Sequence, residues 1–373
     1  MKRTYMRTIY LISIVILASG STYAQDAISQ ARKKLQSGDF AGAKSDLTKI
    51  IDAQPKNKEA LNLRGEARAG LGDFYGAISD YTFALEADSA YAEALNNRGE
   101  AKINLADDEG AIEDLDKAIR FNPRLADAYT NRGLAKYNIE DLQGAYFDFS
   151  KALELGPADA DKYFNRALVK AELGEYISAI DDYSKAIEMD KNDPTFYNYR
   201  GISHYSVGNL EQAIADYDQA IKLDPKDAVK FENRALAKND MENYKGALED
   251  YNKAIELNGE DPETFYLRGM VKYSLEDYDG AVQDYTKAIE IDGTNPVYFD
   301  QRAMSKVALE DFAGALDDYT RSIDLFPSDP DTYYQRALVK IHMNDKYDAC
   351  LDLKRAEELG SSDAKSEIKK NCK

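Results

Sequence analysis

Histidine and cysteine are scarce in this chain, with two of each among 373 residues. The two histidines, His204 and His342, fall on different faces of the predicted helices, so they assemble neither a catalytic triad nor a histidine-rich metal site. The cysteines lack the CxxC spacing of a zinc ribbon, and no phosphate-binding loop or nucleophile elbow occurs. These absences predict a protein that is not an enzyme and that holds no metal and no cofactor.

Basic charge and long apolar runs are also limited. The chain has 48 Lys and Arg against 67 Asp and Glu, which gives a formal net charge of -19. A nucleic-acid partner lacks the basic surface that it would need, whereas a basic or amphipathic protein partner would be attracted. No stretch after residue 24 is apolar enough to span a membrane, so we expect no stable membrane span.

The first 24 residues have the form of an export signal. Basic residues are followed by an apolar run over residues 9–18 and by small residues up to Ala24. This pattern predicts cleavage before Gln25, with a retained anchor as the alternative. We therefore expect an exported protein that is periplasmic, or secreted and held in the cell envelope.

An arginine recurs at a strict interval of 34 residues from Arg64 to Arg336, and alanine and aspartate columns keep the same step. A period of this size predicts a solenoid, in which each unit buries its apolar face against its neighbours. The array spans residues 25–363, and a short capping helix or tail follows at 364–373. The predicted units are 25–57, 58–91, 92–125, 126–159, 160–193, 194–227, 228–261, 262–295, 296–329 and 330–363.

Each unit has room for two helices and two short turns, as the unit 262–295 illustrates. Its first segment has no internal proline, and a second segment ends near Gly293. A column of glycine or alanine in the first segment, Gly65 to Ala337, lets the partner helix approach closely. Two alanine columns run from Ala43 to Ala349 and from Ala84 to Ala356. The aromatic column consists of Tyr81, Phe149, Tyr183, Tyr217, Tyr251, Tyr285 and Tyr319.

With these columns the chain resembles the tetratricopeptide repeat family. The resemblance covers nearly all of the chain after residue 24. It implies an all-α solenoid of about ten helix-turn-helix repeats, coiled into a right-handed superhelix, with the first helices lining a concave groove. It also implies that the partners are other proteins or peptides.

The chain departs from the commonest family pattern by placing an arginine column and a lysine-rich column on the buried face of the first helix. Buried charge is costly unless it is paired, and the aspartate column of the second helix is the expected partner. We predict a ladder of such pairs, with a basic track for an anionic ligand as the alternative. The predicted ladder residues include Arg200, Asp216, Arg234, Asp250, Arg268 and Asp284.

The groove positions vary along the chain and become apolar from the unit 126–159 onward. An apolar, tyrosine-lined trough would suit a segment of another protein, with Glu172, Glu232, Asp240 and Glu263 selecting basic side chains. The alternative is that neighbouring units press these side chains into a second core. The predicted binding residues are Leu134, Tyr137, Phe164, Leu168, Ile202, Tyr205, Leu236, Tyr266, Met270, Tyr273, Met304, Tyr334 and Leu338.

These features predict a non-catalytic protein-interaction scaffold of the cell envelope that binds partner segments in the groove. The alternative is a structural accessory subunit of an envelope or secretion assembly, which would use the convex face and the ends. The carboxylate clamp of the family is not expected, because its basic places hold Glu66, Glu100 and then apolar residues.

Cys350 lies in the last repeat and Cys372 in the tail. An oxidising compartment would permit a bridge between them, and two unpaired thiols are the alternative. The resemblance favours the bridge, because exported arrays of this family often end in this way.

Overall fold

The computed structural model describes residues 25–372, so the predicted export signal and Lys373 lie outside the described residues. Within residues 25–372 the chain forms helices joined by short turns and contains no strand. None of these helices has the length and apolar character needed to cross a membrane. The predicted all-α fold of paired helices is confirmed.

The chain divides into two compact units, Met1–Asp190 and Lys191–Lys373. The described helices of the first unit are α1 (residues 25–36), α2 (Phe40–Ala53), α3 (Lys58–Gly70), α4 (Phe74–Ala87), α5 (Ala92–Ile103), α6 (Asp108–Phe121), α7 (Ala126–Asn138), α8 (Leu142–Leu155), α9 (Ala160–Glu172) and α10 (Tyr176–Met189).

The helices of the second unit repeat the same alternation of lengths. They are α11 (Pro194–Ser206), α12 (Leu210–Leu223), α13 (Ala228–Asp240), α14 (Tyr244–Leu257), α15 (Pro262–Ser274), α16 (Tyr278–Ile291), α17 (Pro296–Ala308), α18 (Phe312–Leu325), α19 (Pro330–His342), α20 (Lys346–Glu358) and α21 (Ser362–Asn371).

The second helix of most pairs begins at a side-chain cap. The carboxylate of Asp73 accepts a hydrogen bond of 3.0 Å from the backbone N–H of Gly76, and thereby satisfies one free donor at the start of α4. The turn before it passes through Gly72 at φ +78°, a conformation that suits glycine. This short turn reverses the chain, so that α4 packs back against α3.

The glycine and alanine columns allow the two helices of a pair to approach closely. A Cβ atom added at Gly65 would lie 2.4 Å from Cε1 of Tyr81, so the tyrosine ring occupies the space that a larger residue would need. The alanines of the facing helix, such as Ala77 and Ala84, are fully buried. Small residues on both helices therefore set the packing distance, as expected for ridges that fit into grooves.

The terminal helix α21 begins two residues before the predicted cap at 364–373. The hydroxyl of Ser361 accepts a hydrogen bond from the backbone N–H of Ala364, so the helix is capped at Ser361. Ala364 is fully buried against the last helix pair. The helix thus covers the apolar end of the second unit.

Candidate protein-binding surfaces

The arginine, lysine and aspartate columns meet between the two helices of each pair, in a layer that we call the seam. In the first unit, Nε and Nη2 of Arg132 on α7 donate to the two carboxylate oxygens of Asp148 on α8, at 2.9 and 2.6 Å. Nζ of Lys136 lies 2.8 Å from the same carboxylate. Asp148 is 0% exposed, so its charge is balanced by two cations with bidentate geometry.

Each seam arginine also has a third donor that reaches the preceding pair. Nη1 of Arg132 donates to Asp116 on α6 at 2.6 Å, while Nη1 of Arg98 donates to Thr82 on α4 at 3.0 Å. The guanidinium of Arg132 additionally lies over the ring of Tyr129, 5.5 Å from its centroid. One side chain therefore joins two helices of its own pair to the second helix of the pair before.

The predicted ladder residues come together in the second unit. Nη2 of Arg200, Arg234 and Arg268 donates to Asp216, Asp250 and Asp284, respectively. Lys238 and Lys272 complete two of these groups, at 2.7 and 2.8 Å from the carboxylates. These cations contact the aspartates of the chain itself, and the contribution of the ladder to stability stays a prediction.

One group of the seam differs, because His204 occupies the place of the lysine. Its Nε2 lies 3.9 Å from Asp216, and its buried Nδ1 has no hydrogen-bond partner within residues 25–372. Burial lowers the pKa of His204, and the nearby charge of Arg200 lowers it further, against the opposing effect of Asp216. This group therefore has weaker charge compensation than its neighbours.

The predicted apolar stripe lies on the first helices, on a face that we call the groove face. In the first unit, Leu134 and Tyr137 pack against a cluster that contains Phe149, and Phe164 and Leu168 pack against a cluster that contains Tyr183. All four are half-buried. Part of each side chain is thus committed to packing, and part faces outward.

The stripe residues of the second unit have a similar environment. Met270 is the most exposed at 39%, and the other predicted residues are half-buried. The half-buried residues are Ile202, Tyr205, Leu236, Tyr266, Tyr273, Met304, Tyr334 and Leu338. Their role in binding stays a prediction.

Three of the acids that we expected to select basic side chains already accept hydrogen bonds inside the second unit. Asp240 accepts from the hydroxyl of Tyr205, Glu232 from that of Thr264, and Glu263 from that of Tyr298. Each bond joins the first helices of neighbouring pairs. Sequence reasoning missed these bonds, although the spacing of 35 residues between Tyr205 and Asp240, one step beyond the repeat, places them side by side.

The groove face of the first unit contains a polar network that sequence reasoning also missed. The side-chain amides of Asn62 and Asn97 both donate to Oε1 of Glu66, at 2.7 and 3.1 Å. Burial raises the pKa of Glu66 despite these bonds, and it also raises the pKa of Glu100. The two carboxylates border a cavity of about 390 Å³ between α3, α4 and α5.

The terminal cysteines are joined. Cys350 on α20 forms a disulfide with Cys372, which follows the last residue of α21. The bridge holds the terminal helix against the last pair of the second unit.

Sequence models of the tetratricopeptide repeat family match residues 194–227 and 262–295, and further models of this repeat match 28–81, 107–139, 169–208 and 231–261. Together these segments cover more than half of the chain. No curated protein sequence matches it.

Several solved structures are similar to this chain. YrrB, described as a tetratricopeptide repeat protein with an unusual peptide-binding site, is 26% identical, with a TM-score of 0.45, over 48% of this chain and 92% of YrrB. MamA is 29% identical, with a TM-score of 0.41, over 43% of this chain and 95% of MamA. A repeat protein from Parabacteroides merdae is 21% identical, with a TM-score of 0.47, over 66% of this chain and 98% of that protein. With the family matches along its length, this chain belongs to the tetratricopeptide repeat family, whose arrays are scaffolds for protein–protein interaction.

Proposed function

We propose that the protein is an exported, non-catalytic scaffold of the cell envelope that binds segments of partner proteins along its groove face. The observation that carries this proposal is the partial exposure of the apolar stripe. Met270 is 39% exposed although it lies among side chains that pack against the core. Apolar residues that repeat along one face and remain accessible are typical of protein-binding surfaces.

Multivalent contact along the array is the mechanism that fits this arrangement. Each first helix offers one or two apolar side chains at a fixed spacing, so a partner segment gains several weak contacts at once. The acidic charge of the chain favours partners that carry basic residues as well as apolar ones.

The test is a crosslinking pull-down from the cell envelope that compares the wild type with the variant Leu236→Glu, Met270→Glu. We expect partners to be lost, because two charges would enter the apolar stripe. The matched control is Val229→Glu, Val297→Glu, which changes two exposed apolar residues of the second unit outside the stripe. Equal capture by both variants and the wild type would place function elsewhere.

Export is proposed from the first 24 residues and is supported by the disulfide, since such bonds persist in oxidising compartments. A bridge between residues separated by 22 positions is expected to stabilise the end of the array by about 3 kcal/mol. Mass analysis of freshly isolated protein under nonreducing conditions should show a mature chain that begins at Gln25 and has no free thiol. An intact N-terminus or two free thiols would contradict this proposal.

A structural role in an envelope or secretion assembly is the second candidate, and exposed aromatic residues on the second helices favour it. Tyr75 and Phe83 on α4 and Phe147 on α8 are 77%, 51% and 60% exposed. Aromatic side chains are enriched at protein interfaces. Copurification at one fixed stoichiometry that is lost in Phe83→Ser, Phe147→Ser would favour this role, whereas several partners that depend on Met270 would favour the scaffold.

A further inference from the structure

The cavity in the first unit is a gap in the packing of the groove face. It lies between α3 and α5, and α4 forms its floor. Its volume is about 390 Å³, which is enough for a large side chain. The lining includes Glu66, Asn97, Glu100, Asn104, Phe74 and Tyr81.

Small residues open this cavity where other repeats have large ones. Ala69 and Gly70 form part of its wall, whereas the place of Ala69 is taken by Tyr137, Tyr205 and Tyr273 in later repeats. Glu66 and Glu100 themselves stand at positions that become leucine, isoleucine or methionine from residue 134 onward. The cavity is therefore specific to the early repeats.

The aromatic floor is also uncovered here. In the unit 160–193 the ring of Phe164 covers Tyr183, with 5.7 Å between their centroids. The residue in the place of Phe164 is Asn62, whose amide donates to Glu66 instead. Tyr81 thus lines the cavity where its counterpart in another repeat lies under a ring.

Tyr81 gives an independent sign that a ligand is missing. Its side chain is 2% exposed, and its hydroxyl has no hydrogen-bond partner within residues 25–372. Burial and the charges of Glu66 and Glu100 raise its pKa, so the phenol stays neutral. A buried tyrosine hydroxyl normally finds a partner, and this one borders an open space.

The carboxylates lack a nearby cation of their own. The charge of Arg32 reaches Glu66, but its guanidinium donates to Glu59 at 2.7 Å. Glu100 forms no ion pair within the described part of the chain, and the charge of Asp127 adds to the effect of burial in raising its pKa. A cation that enters the cavity would therefore relieve two partly desolvated negative charges.

We propose that this cavity binds a basic side chain, lysine or arginine, of a partner segment. The inference rests on the proposed scaffold function and identifies one of its specificity sites. The cationic head lies between Glu66 and Glu100 and donates to them and to the Tyr81 hydroxyl. Its aliphatic stem packs on the rings of Phe74 and Tyr81, which also attract the positive charge.

Titration of the isotopically labelled mature chain by NMR tests the proposal with three blocked pentapeptides. Each has alanine at four positions and arginine, lysine or norleucine at the centre. The side-chain amide signals of Asn97 and Asn104 should shift saturably with the arginine and lysine peptides and not with the norleucine peptide. A stronger response to arginine would assign the site to guanidinium, and a stronger response to lysine would assign it to ammonium.

The variant Glu66→Gln, Glu100→Gln retains the shape of the cavity and should weaken binding at least about tenfold. The control Glu113→Gln, Glu154→Gln removes the same charge from exposed positions of the same unit and should bind like the wild type. Equal binding by the two variants, or no saturable shift with any peptide, would overturn the proposal. Loss of partners in the Met270 variant would still support the scaffold in that case, so the two failures are distinguishable.

Discussion

The seam and the groove face use the same helices in opposite ways. At the seam, Arg132 with Asp148 and Arg268 with Asp284 have the same bidentate geometry although they belong to different units. On the groove face, one position holds Asn62, Phe164 and Asp300 in different repeats. The comparison shows that the contacts which define the repeat are separated from those which can vary, so that recognition can change without loss of the fold.

The uniformity of the seam follows from the cost of buried charge. An aspartate that is 0% to 8% exposed requires cations in a fixed geometry, and each arginine supplies two parallel hydrogen bonds. A change on either side would leave a buried charge without compensation. The groove face lacks this constraint where its side chains are half-buried.

Removing a seam carboxylate should have the largest effect. The variant Asp284→Ala leaves Arg268 and Lys272 without their carboxylate and should lower the free energy of unfolding by about 3–5 kcal/mol. Asp216→Ala should cost less, because its second neighbour is His204, whose lowered pKa favours the neutral form. Urea denaturation followed by circular dichroism measures both.

The matched control is Glu290→Ala, which breaks the ion pair with Lys287, where both side chains are at least half exposed. A change below about 0.5 kcal/mol is expected there. If Asp284→Ala were as mild as this control, the seam would be no more constrained than the surface.

The seam could be predicted from the sequence, because strictly periodic charge on a predicted buried face has few partners that satisfy it. The groove face could not be predicted in the same way. Asp240 and Glu263 were expected to face a ligand, but tyrosines of neighbouring first helices donate to them. Such bonds depend on the distance between adjacent helices and on rotamers, which single positions do not reveal.

The cavity beside Tyr81 escaped prediction for a related reason. Glu66 and Glu100 were identified only as places where a basic clamp is missing. The gap arises from the combination of Ala69, Gly70 and Asn62, and only their arrangement in three dimensions shows that nothing fills the space.

A second prediction concerns Asp300, a half-buried groove-face acid that accepts a hydrogen bond from Thr332. Burial raises the pKa of Asp300 to about 6, from an ordinary value of 3.8. Its contribution to stability is therefore complete at pH values below the unfolded pKa and is lost as the pH rises through about 6. The variant Asp300→Asn should raise the free energy of unfolding at pH 8 by up to about 3 kcal/mol, with little effect at pH 3.

Thermal unfolding of Asp300→Asn at several pH values checks this dependence. Asp317→Asn, at an exposed position of α18, is the control and should give a difference that is small and independent of pH. Stabilisation by Asp300→Asn would show that the groove face carries a stability cost, which is typical of positions retained for binding. A loss of stability at pH 8 would instead make this acid part of the structural framework.

The smallest expected effect restores uniformity to the seam. His204→Lys gives Asp216 the lysine that most other groups have, and should add about 1 kcal/mol to the free energy of unfolding at pH 8. Because the pKa of His204 is lowered in the folded state, its contribution is complete above the unfolded value of 6.5 and is lost as the pH falls. The advantage of lysine should therefore grow between pH 7 and pH 5. Denaturation curves of both proteins across that range measure it, and an advantage that shrinks towards pH 5 would mean that Asp216 holds the protonated histidine as well as it holds lysine.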